Sequence, residues 1–251
     1  VGAGDRVLLR RGDTWNQELN IKGRGASGNN IHVTAYGSGN RPIISRTDLA
    51  YDKCLVAEAP SFLTIDNLDL RNAKLGIYLR YINTAGHQSV TITDCNLRDM
   101  NDPTLSPELH NYEFAFSNGI HISGKVWGDT EFATVLDGLT IQRCVAERVA
   151  HGFGTGWYYP APYRSRLRNL VMEDNLAVDC IMGWATIMYT DGGHMKRCHS
   201  IDGGGVNTWS GSTAGMMQSS QNYLIDDCEF GYMNRLQAGD GCGFDFEGDT
   251  H

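Results

Sequence analysis

One short pattern recurs six times along the chain, and it constrains the fold more than any other feature. Each repeat has an aliphatic or methionine residue, then a Cys, Asn or Leu three positions later, and a third, mostly small or apolar residue two positions further on. The first positions are Ile65, Ile92, Ile141, Met172, Met195 and Ile225. The second are Leu68, Cys95, Cys144, Asn175, Cys198 and Cys228, and the third are Leu70, Leu97, Ala146, Ala177, Ser200 and Phe230. Intervals of about 23 to 49 residues are typical of solenoid coils with insertions.

Apolar residues alternate within each repeat, as at Leu63 and Ile65, and this alternation predicts short strands. The three-residue step to the Cys position breaks the alternation, so we expect the chain to turn a corner there. Glycine tolerates positive φ and predicts a further corner in each coil. These glycines are Gly76, Gly152 and Gly183, with Gly119 and Gly243 in the same role after insertions. Parallel stacking at about 4.8 Å would then bring equivalent residues into columns.

Other architectures fit less well. No long window carries the apolar stripe of an amphipathic helix, and the shortest repeats, at about 23 residues, cannot hold the four strands of a propeller blade. Residues 5–44 add an opening coil, and insertions leave the stack at about 101–117 and 154–166. We therefore predict one all-β domain over 1–251, a solenoid of about seven coils with loop insertions on one face.

Composition excludes several partners. The chain has 21 basic and 29 acidic residues, a formal net charge of −8, so a nucleic-acid partner is disfavoured. No apolar run is long enough to predict a membrane span. The seven cysteines show no metal-binding spacing, and we interpret those in the repeats as small buried side chains.

Three segments carry a family resemblance that extends over essentially the whole chain. GDRVLLRRGDTW, IHVTAYGSGNRPII and VTITDCNLRDM resemble right-handed parallel β-helix proteins of the pectate-lyase-like superfamily. The resemblance implies a single-stranded right-handed parallel β-helix. Most enzymes of this superfamily cleave oligo- or polysaccharides as hydrolases or lyases, and other members are tailspikes, epimerases or adhesins.

The candidate catalytic residues are acidic and lie near the end of the chain. In the strand after Gly243 the two phenylalanines are expected to face inward, and Asp245 and Glu247 outward, about 6.6 Å apart. Such a pair can keep one carboxyl protonated and the other ionised, as glycoside hydrolysis requires. Asp240 and Asp249 flank this strand and are alternatives for either partner. The separation of Asp240 and Glu247 is compatible with β-helix hydrolases of the lacto-N-biosidase type.

Six further residues are candidates for substrate binding. The same alternation places His121 on the outer face that carries Asp245. Trp157 and Tyr158 lie in a glycine-rich insertion, where exposed aromatic rings suit sugar stacking. Tyr189, Asp191 and His194 are expected at a corner one to two coils before Asp245, as sugar ligands or a third catalytic group.

The favoured function is a glycoside hydrolase that needs no cofactor or metal. A polysaccharide lyase is the first alternative, with Ca²⁺ bound by the acidic cluster, and a non-catalytic glycan-binding or tailspike-like module is the second. We expect a carbohydrate substrate and a secreted or cell-surface location, extracellular or periplasmic. Because no capping segment is recognisable, we also expect the remaining part of the protein, or a companion chain, after His251.

Overall fold

Short strands make up the computed structural model, which describes residues 1–82, 84–100, 117–125, 133–155, 165–203, 212–231 and 241–247. The described residues contain no helix that could cross a membrane. The first strands are β1 (Arg6–Arg10), β2 (Thr14–Trp15), β3 (Leu19–Lys22), β4 (Ile31–Tyr36), β5 (Ile43–Ser45), β6 (Lys53–Glu58), β7 (Leu63–Asp66), β8 (Asp69–Arg71) and β9 (Leu75–Ile82). The next are β10 (His87–Thr93), β11 (Asn96–Met100), β12 (Asn118–Lys125), β13 (Ala133–Gln142), β14 (Val145–Val149), β15 (His151–Thr155), β16 (Ser165–Glu173) and β17 (Leu176–Val178). The last are β18 (Ala185–Met188), β19 (Thr190–Lys196), β20 (His199–Ile201), β21 (Ser212–Thr213), β22 (Gly215–Gln218), β23 (Gln221–Asp226), β24 (Glu229–Phe230), β25 (Gly241–Cys242) and β26 (Asp245–Glu247).

These strands form a right-handed parallel β-helix, as predicted. Within the described residues there are three sheets of eight strands, and each coil consists of three strands, one from each sheet. Sheet A runs β1-β4-β7-β10-β13-β16-β19-β23, and sheet B runs β2-β5-β8-β11-β14-β17-β20-β24. Sheet C runs β3-β6-β9-β12-β15-β18-β22-β26, and β21 and β25 form a small extra pair. The eight coils exceed the predicted number of about seven, because residues 6–58 form two opening coils instead of one.

The predicted columns exist residue by residue. In sheet A, Ile92 pairs with Ile65 and Ile141, and the column continues through Met172 and Met195 to Ile225. In sheet B, the column that starts at Leu70 reaches Phe230 in the same way. Most of these side chains are fully buried, so the interior is one continuous apolar stack.

Left-handed backbone makes the corners between the sheets. The residue before each Cys-type position has a φ of 50–60°, which reverses the alternation and accounts for the three-residue step. These residues are Asn67, Asp94, Arg143, Asp174, Arg197 and Asp227. A second series with a similar φ ends the strands of sheet B, at Asn72, Asp99, Arg148, Asp179 and Asp202. Asn and Asp adopt this conformation more readily than most residues, which explains their frequency at the corners.

Four of the glycines predicted to form corners lie in or just before strands of sheet C, and three of them have a different role. Only Gly183 has positive φ, at 67°, whereas Gly76, Gly119 and Gly152 lie inside strands. A Cβ on Gly76 would lie 2.4 Å from the Gly119 carbonyl oxygen, and one on Gly152 would lie 2.4 Å from the Trp184 ring. These glycines are therefore required by close packing between coils rather than by a turn.

A third left-handed column runs through sheet A, at Ser89, Gly138, Asn169, Gly192 and Asn222. It interrupts the alternation inside each strand, so that inward residues stand three positions apart, as at Leu136 and Leu139 in β13. The Asn169 amide donates to Asp137 Oδ1 at 2.6 Å, and the Asn222 amide donates to Asp191 Oδ1 at 2.9 Å. The column therefore determines which residues face the core in the part of each sheet A strand that follows it.

Sheet B carries a buried ion pair on its outer side. Asp69 is 4% exposed and accepts two 2.7 Å hydrogen bonds from Arg71, with further hydrogen bonds from Arg98. Burial alone would raise the pKa of Asp69, but the hydrogen bonds from the two arginines hold it below its usual value. Asp69 is therefore ionised and joins two neighbouring coils.

The cysteines of the repeats are buried thiols, as predicted. Among the described residues Cys54, Cys95, Cys144, Cys180 and Cys198 are buried and free, and Cys228 in the last coil is half-buried. Burial raises the pKa of the Cys54 and Cys180 thiols to about 12, which suits a packing role.

Candidate functional site

The outer face of sheet C aligns two of the predicted site residues in one column. His121 pairs with Gly154, Gly154 with Thr186, Thr186 with Met216, and Met216 with Asp245. Ile120, Ile122 and Phe153 point the other way, into the core. His121 and Asp245 therefore share the face that the alternation predicts, four strand spacings apart, or about 19 Å.

The two carboxylates lie on β26, the outermost described strand of sheet C. Asp245 is half-buried and Glu247 is exposed, and they pair in register with Met216 and Gln218 of β22. Within the described residues the Asp245 carboxylate makes no hydrogen bond or ion pair. Both carboxylates therefore face outward on one strand, about 6.6 Å apart along the backbone.

The expectation that both phenylalanines face the core is only half right. Phe244 packs against the core, and its ring centroid lies 4.9 Å from that of Phe230 and 4.8 Å from that of Phe246. Phe246 is 62% exposed, because no described strand stacks on β26 to cover it.

His121 is fully buried, although it was expected on a solvent-facing groove. Its Nδ1 lies 2.7 Å from the Asn118 amide nitrogen, and its ring centroid lies 5.5 Å from that of Tyr78. The Tyr78 hydroxyl is 2.7 Å from Ser123 Oγ. The alternation predicts the direction of His121 correctly but not its burial, and a direct sugar contact by this side chain is not supported.

His151 extends this polar network toward the carboxylates. Its Nδ1 lies 2.6 Å from Thr186 Oγ1, one coil further along the sheet. Burial lowers the pKa of His151 to about 3, and the neighbouring His121 contributes in the same direction. His151 is therefore a neutral imidazole at physiological pH, and its pair with Thr186 carries no charge.

Tyr189, Asp191 and His194 occupy three different environments. Tyr189 forms the corner between β18 and β19, with a φ of 50°, and packs partly against the core. Asp191 is half-buried near the start of β19, and its Oδ1 accepts a hydrogen bond from the Asn222 amide. His194 lies further along β19, where its Nε2 is 2.8 Å from Glu173 Oε1, and this hydrogen bond lowers the pKa of Glu173.

Tyr189 lies at a corner one to two coils before Asp245, as predicted, but Asp191 and His194 lie within β19 and not at that corner. His194 belongs to sheet A and Asp245 to sheet C, so the structure does not bring them onto one face. The glycines at 192 and 193 have φ values of 81° and 120°, and they continue β19 along sheet A instead of closing a corner. Three other predicted residues, Asp240, Trp157 and Tyr158, lie outside the described residues.

Sequence reasoning missed the residues that lie closest to the carboxylates. Met216 and Gln218 are half-buried on the outer side of β22, one strand from β26. The signal is the GMMQ segment, whose second Met is in the core, so that its first Met and its Gln must face outward. The segment between β20 and β22 is longer than the one between β17 and β18, so β22 does not stand at the expected step from the repeat before it.

The described residues contain no cluster of His, Cys, Asp and Glu with the geometry of a metal site. The arrangement is instead a strand face with two outward carboxylates, an adjacent thioether and amide, and the uncharged His151–Thr186 pair further along. Such a face offers hydrogen-bond donors and acceptors to a polar ligand.

No protein-family model matches the sequence, and no curated protein matches it either. Among solved structures, the chain is similar to a native lacto-N-biosidase of glycoside hydrolase family 136 from Eubacterium ramulus, with a TM-score of 0.73 and 15% identity. Its selenomethionine derivative gives a TM-score of 0.68 and the same identity. Each match covers 98% of this chain and 50% of the other, so the chain spans half of that protein. An alginate lyase from Paenibacillus sp. strain FPU-7 has a TM-score of only 0.43, with 11% identity over 99% of this chain and 92% of the other. At such identities the similarity shows the shared fold.

Proposed function

We propose that this chain is the β-helix of a glycoside hydrolase that cleaves an oligo- or polysaccharide with Asp245 and Glu247. The observation that carries the proposal is the placement of both carboxylates on the outer side of β26, at one end of the polar face of sheet C. The similarity to a lacto-N-biosidase, which is a glycosidase, supports it.

The chemistry needs two carboxyl groups in different protonation states. One donates a proton to the leaving glycosidic oxygen, and the other attacks the anomeric carbon or activates a water molecule. Asp245 is half-buried and Glu247 is exposed, so the two carboxyl groups differ in their access to solvent. Asp240, which lies outside the described residues, stays a candidate for either role.

Charge on this face favours a hydrolase over a lyase. A uronate lyase of this fold uses a Lys or Arg base, but the four strands of sheet C nearest the pair, β15, β18, β22 and β26, contain neither residue. Two coils further away, Arg80 is bound to Glu58 at 3.2 and 3.3 Å. A neutral sugar therefore fits this surface better than a uronate.

Product analysis on a glycan panel tests the proposal. A hydrolase releases saturated reducing ends, whereas a lyase leaves unsaturated ends that absorb ultraviolet light. Asp245→Asn and Glu247→Gln should each lower kcat by at least about 100-fold if the carboxyl acts directly in proton transfer. Asp226→Asn and Glu229→Gln are matched controls, since they lie in the same coil on sheets A and B. Unsaturated products, or binding without cleavage, would overturn the hydrolase proposal.

A secreted or cell-surface location is part of the same proposal, because polysaccharide substrates are met outside the cell. Fractionation of the producing cells tests it, and the protein is expected outside the cytoplasmic membrane.

A further inference from the structure

Two outward side chains of β22 adjoin the carboxylate pair directly. Met216 pairs with Asp245, and Gln218 pairs with Glu247, so the four residues form a two-by-two grid on adjacent strands. Met217 between them lies in the core and is 2% exposed, which fixes the outward direction of its neighbours. Thr186 lies beneath Met216 and is hydrogen-bonded to His151, so the grid ends at this polar pair.

The grid offers complementary contacts at the spacing of a sugar ring. Within the described residues the Gln218 amide makes no hydrogen bond, so its donors and its acceptor are available. Met216 offers a flexible apolar thioether. Strands in a sheet lie about 4.8 Å apart, close to the width of a hexose ring, so a sugar held at β26 has its neighbour over β22.

We propose that Met216 and Gln218 form a sugar platform that determines specificity. Met216 packs against the apolar C–H face of one hexose ring, and Gln218 hydrogen-bonds a hydroxyl of the same ring. The ligand is an uncharged hexose unit next to the scissile bond. This inference rests on the proposed hydrolase function and assigns the binding of that neighbouring ring to β22.

Surrounding charge supports an uncharged unit at this position. On one side of β22, β18 carries Thr186, and on the other side β26 carries Asp245 and Glu247; none of these three strands contains Lys or Arg. A negatively charged sugar would lie beside two carboxylates, with no Lys or Arg on these three strands to compensate for the repulsion.

The test separates binding from chemistry. Gln218→Leu and Met216→Thr should raise KM for a glycan cleaved by the wild type by about 3- to 10-fold, with kcat changed less, because each removes one contact. Introduced into Glu247→Gln, the same changes should weaken the calorimetric affinity for that glycan by the same factor. Gln221→Leu provides the matched control on sheet A, where a half-buried glutamine lies off the platform.

The outcomes distinguish this inference from the function on which it rests. Unchanged KM and affinity in both platform variants, with normal cleavage by the wild type, would overturn the platform and leave the hydrolase intact. If the platform variants lose no more affinity than Gln221→Leu, the platform is also overturned, because the loss would then not depend on a position on β22. A wild type that neither binds nor cleaves any neutral glycan would overturn both.

Discussion

Asn175 is the position at which the stacking of coils can be tested most sharply by one substitution. It takes the place of a cysteine in the corner column and is fully buried. Its Oδ1 accepts a hydrogen bond from the Cys144 backbone N–H at 3.0 Å. Its amide nitrogen donates to the Ile141 carbonyl oxygen at 2.9 Å and lies 3.5 Å from Cys198 Sγ. One side chain therefore bridges the coils on both sides.

Replacing Asn175 with Leu keeps the branched shape of the side chain but removes both hydrogen bonds to the backbone. Each buried backbone group that loses its partner costs about 1–3 kcal/mol. Because burial of the leucine offsets part of that cost, the free energy of unfolding should fall by roughly 2–4 kcal/mol. Asn175→Cys restores the residue type of the neighbouring coils and should cost less than Asn175→Leu.

Urea unfolding followed by circular dichroism measures this change, and Asn20→Leu provides the control. Asn20 is exposed on β3, so its replacement should change the free energy of unfolding by no more than about 0.5 kcal/mol. Hydrogen exchange adds a local readout, since the Cys144 amide should exchange faster in Asn175→Leu. A change no larger than that of Asn20→Leu, with unaltered exchange at Cys144, would refute the proposed bridge.

Three further predictions follow from the described contacts. Gly154→Ala places a Cβ 2.4 Å from the Asn118 amide nitrogen and should lower the free energy of unfolding by about 1–3 kcal/mol, whereas Gly231→Ala, whose Cβ meets nothing within 4 Å, should not. Because the pKa of Asp69 is lowered by its arginine partners, its stabilisation should be fully present above about pH 4 and be lost progressively as the pH falls through the lowered pKa, and Asp69→Asn should abolish that acid dependence in urea titrations. Because the pKa of His151 is lowered to about 3, stability should decrease as the pH falls from about 6.5, by up to about 1.4 kcal/mol per pH unit; an NMR titration that shows His151 protonated at pH 5 would contradict this.

The core columns of sheets A and B could be predicted from sequence because stacking repeats the same apolar type at the same step. The conformation of the corners was harder to predict. Asn67 and Asp94 belong to residue types that favour left-handed backbone, but Arg143 and Arg197 take the same conformation without that signal. Tertiary stacking imposes the turn at these arginines, so no local rule identifies it.

The face of the sheet on which Asp245 and His121 lie could be predicted from the sequence, but the burial of His121 and the sheet that carries His194 could not. Alternation placed Asp245 and His121 on one face, because only the parity of a strand residue matters for that choice. Burial of His121 depends on what surrounds the outer face, which parity does not encode. His194 was misplaced because left-handed backbone at residue 192 continues a strand of sheet A, where an Asp-Gly-Gly segment was interpreted as a turn.

The most direct measurement of the central claim is the cleavage of neutral glycans by the wild type and by Asp245→Asn, Glu247→Gln and Asp226→Asn, with products identified by mass spectrometry. The account predicts saturated reducing ends from the wild type and from Asp226→Asn, and at least about 100-fold slower release from the other two. Full activity in both Asp245→Asn and Glu247→Gln would show that the carboxylates on β26 are not the catalytic pair.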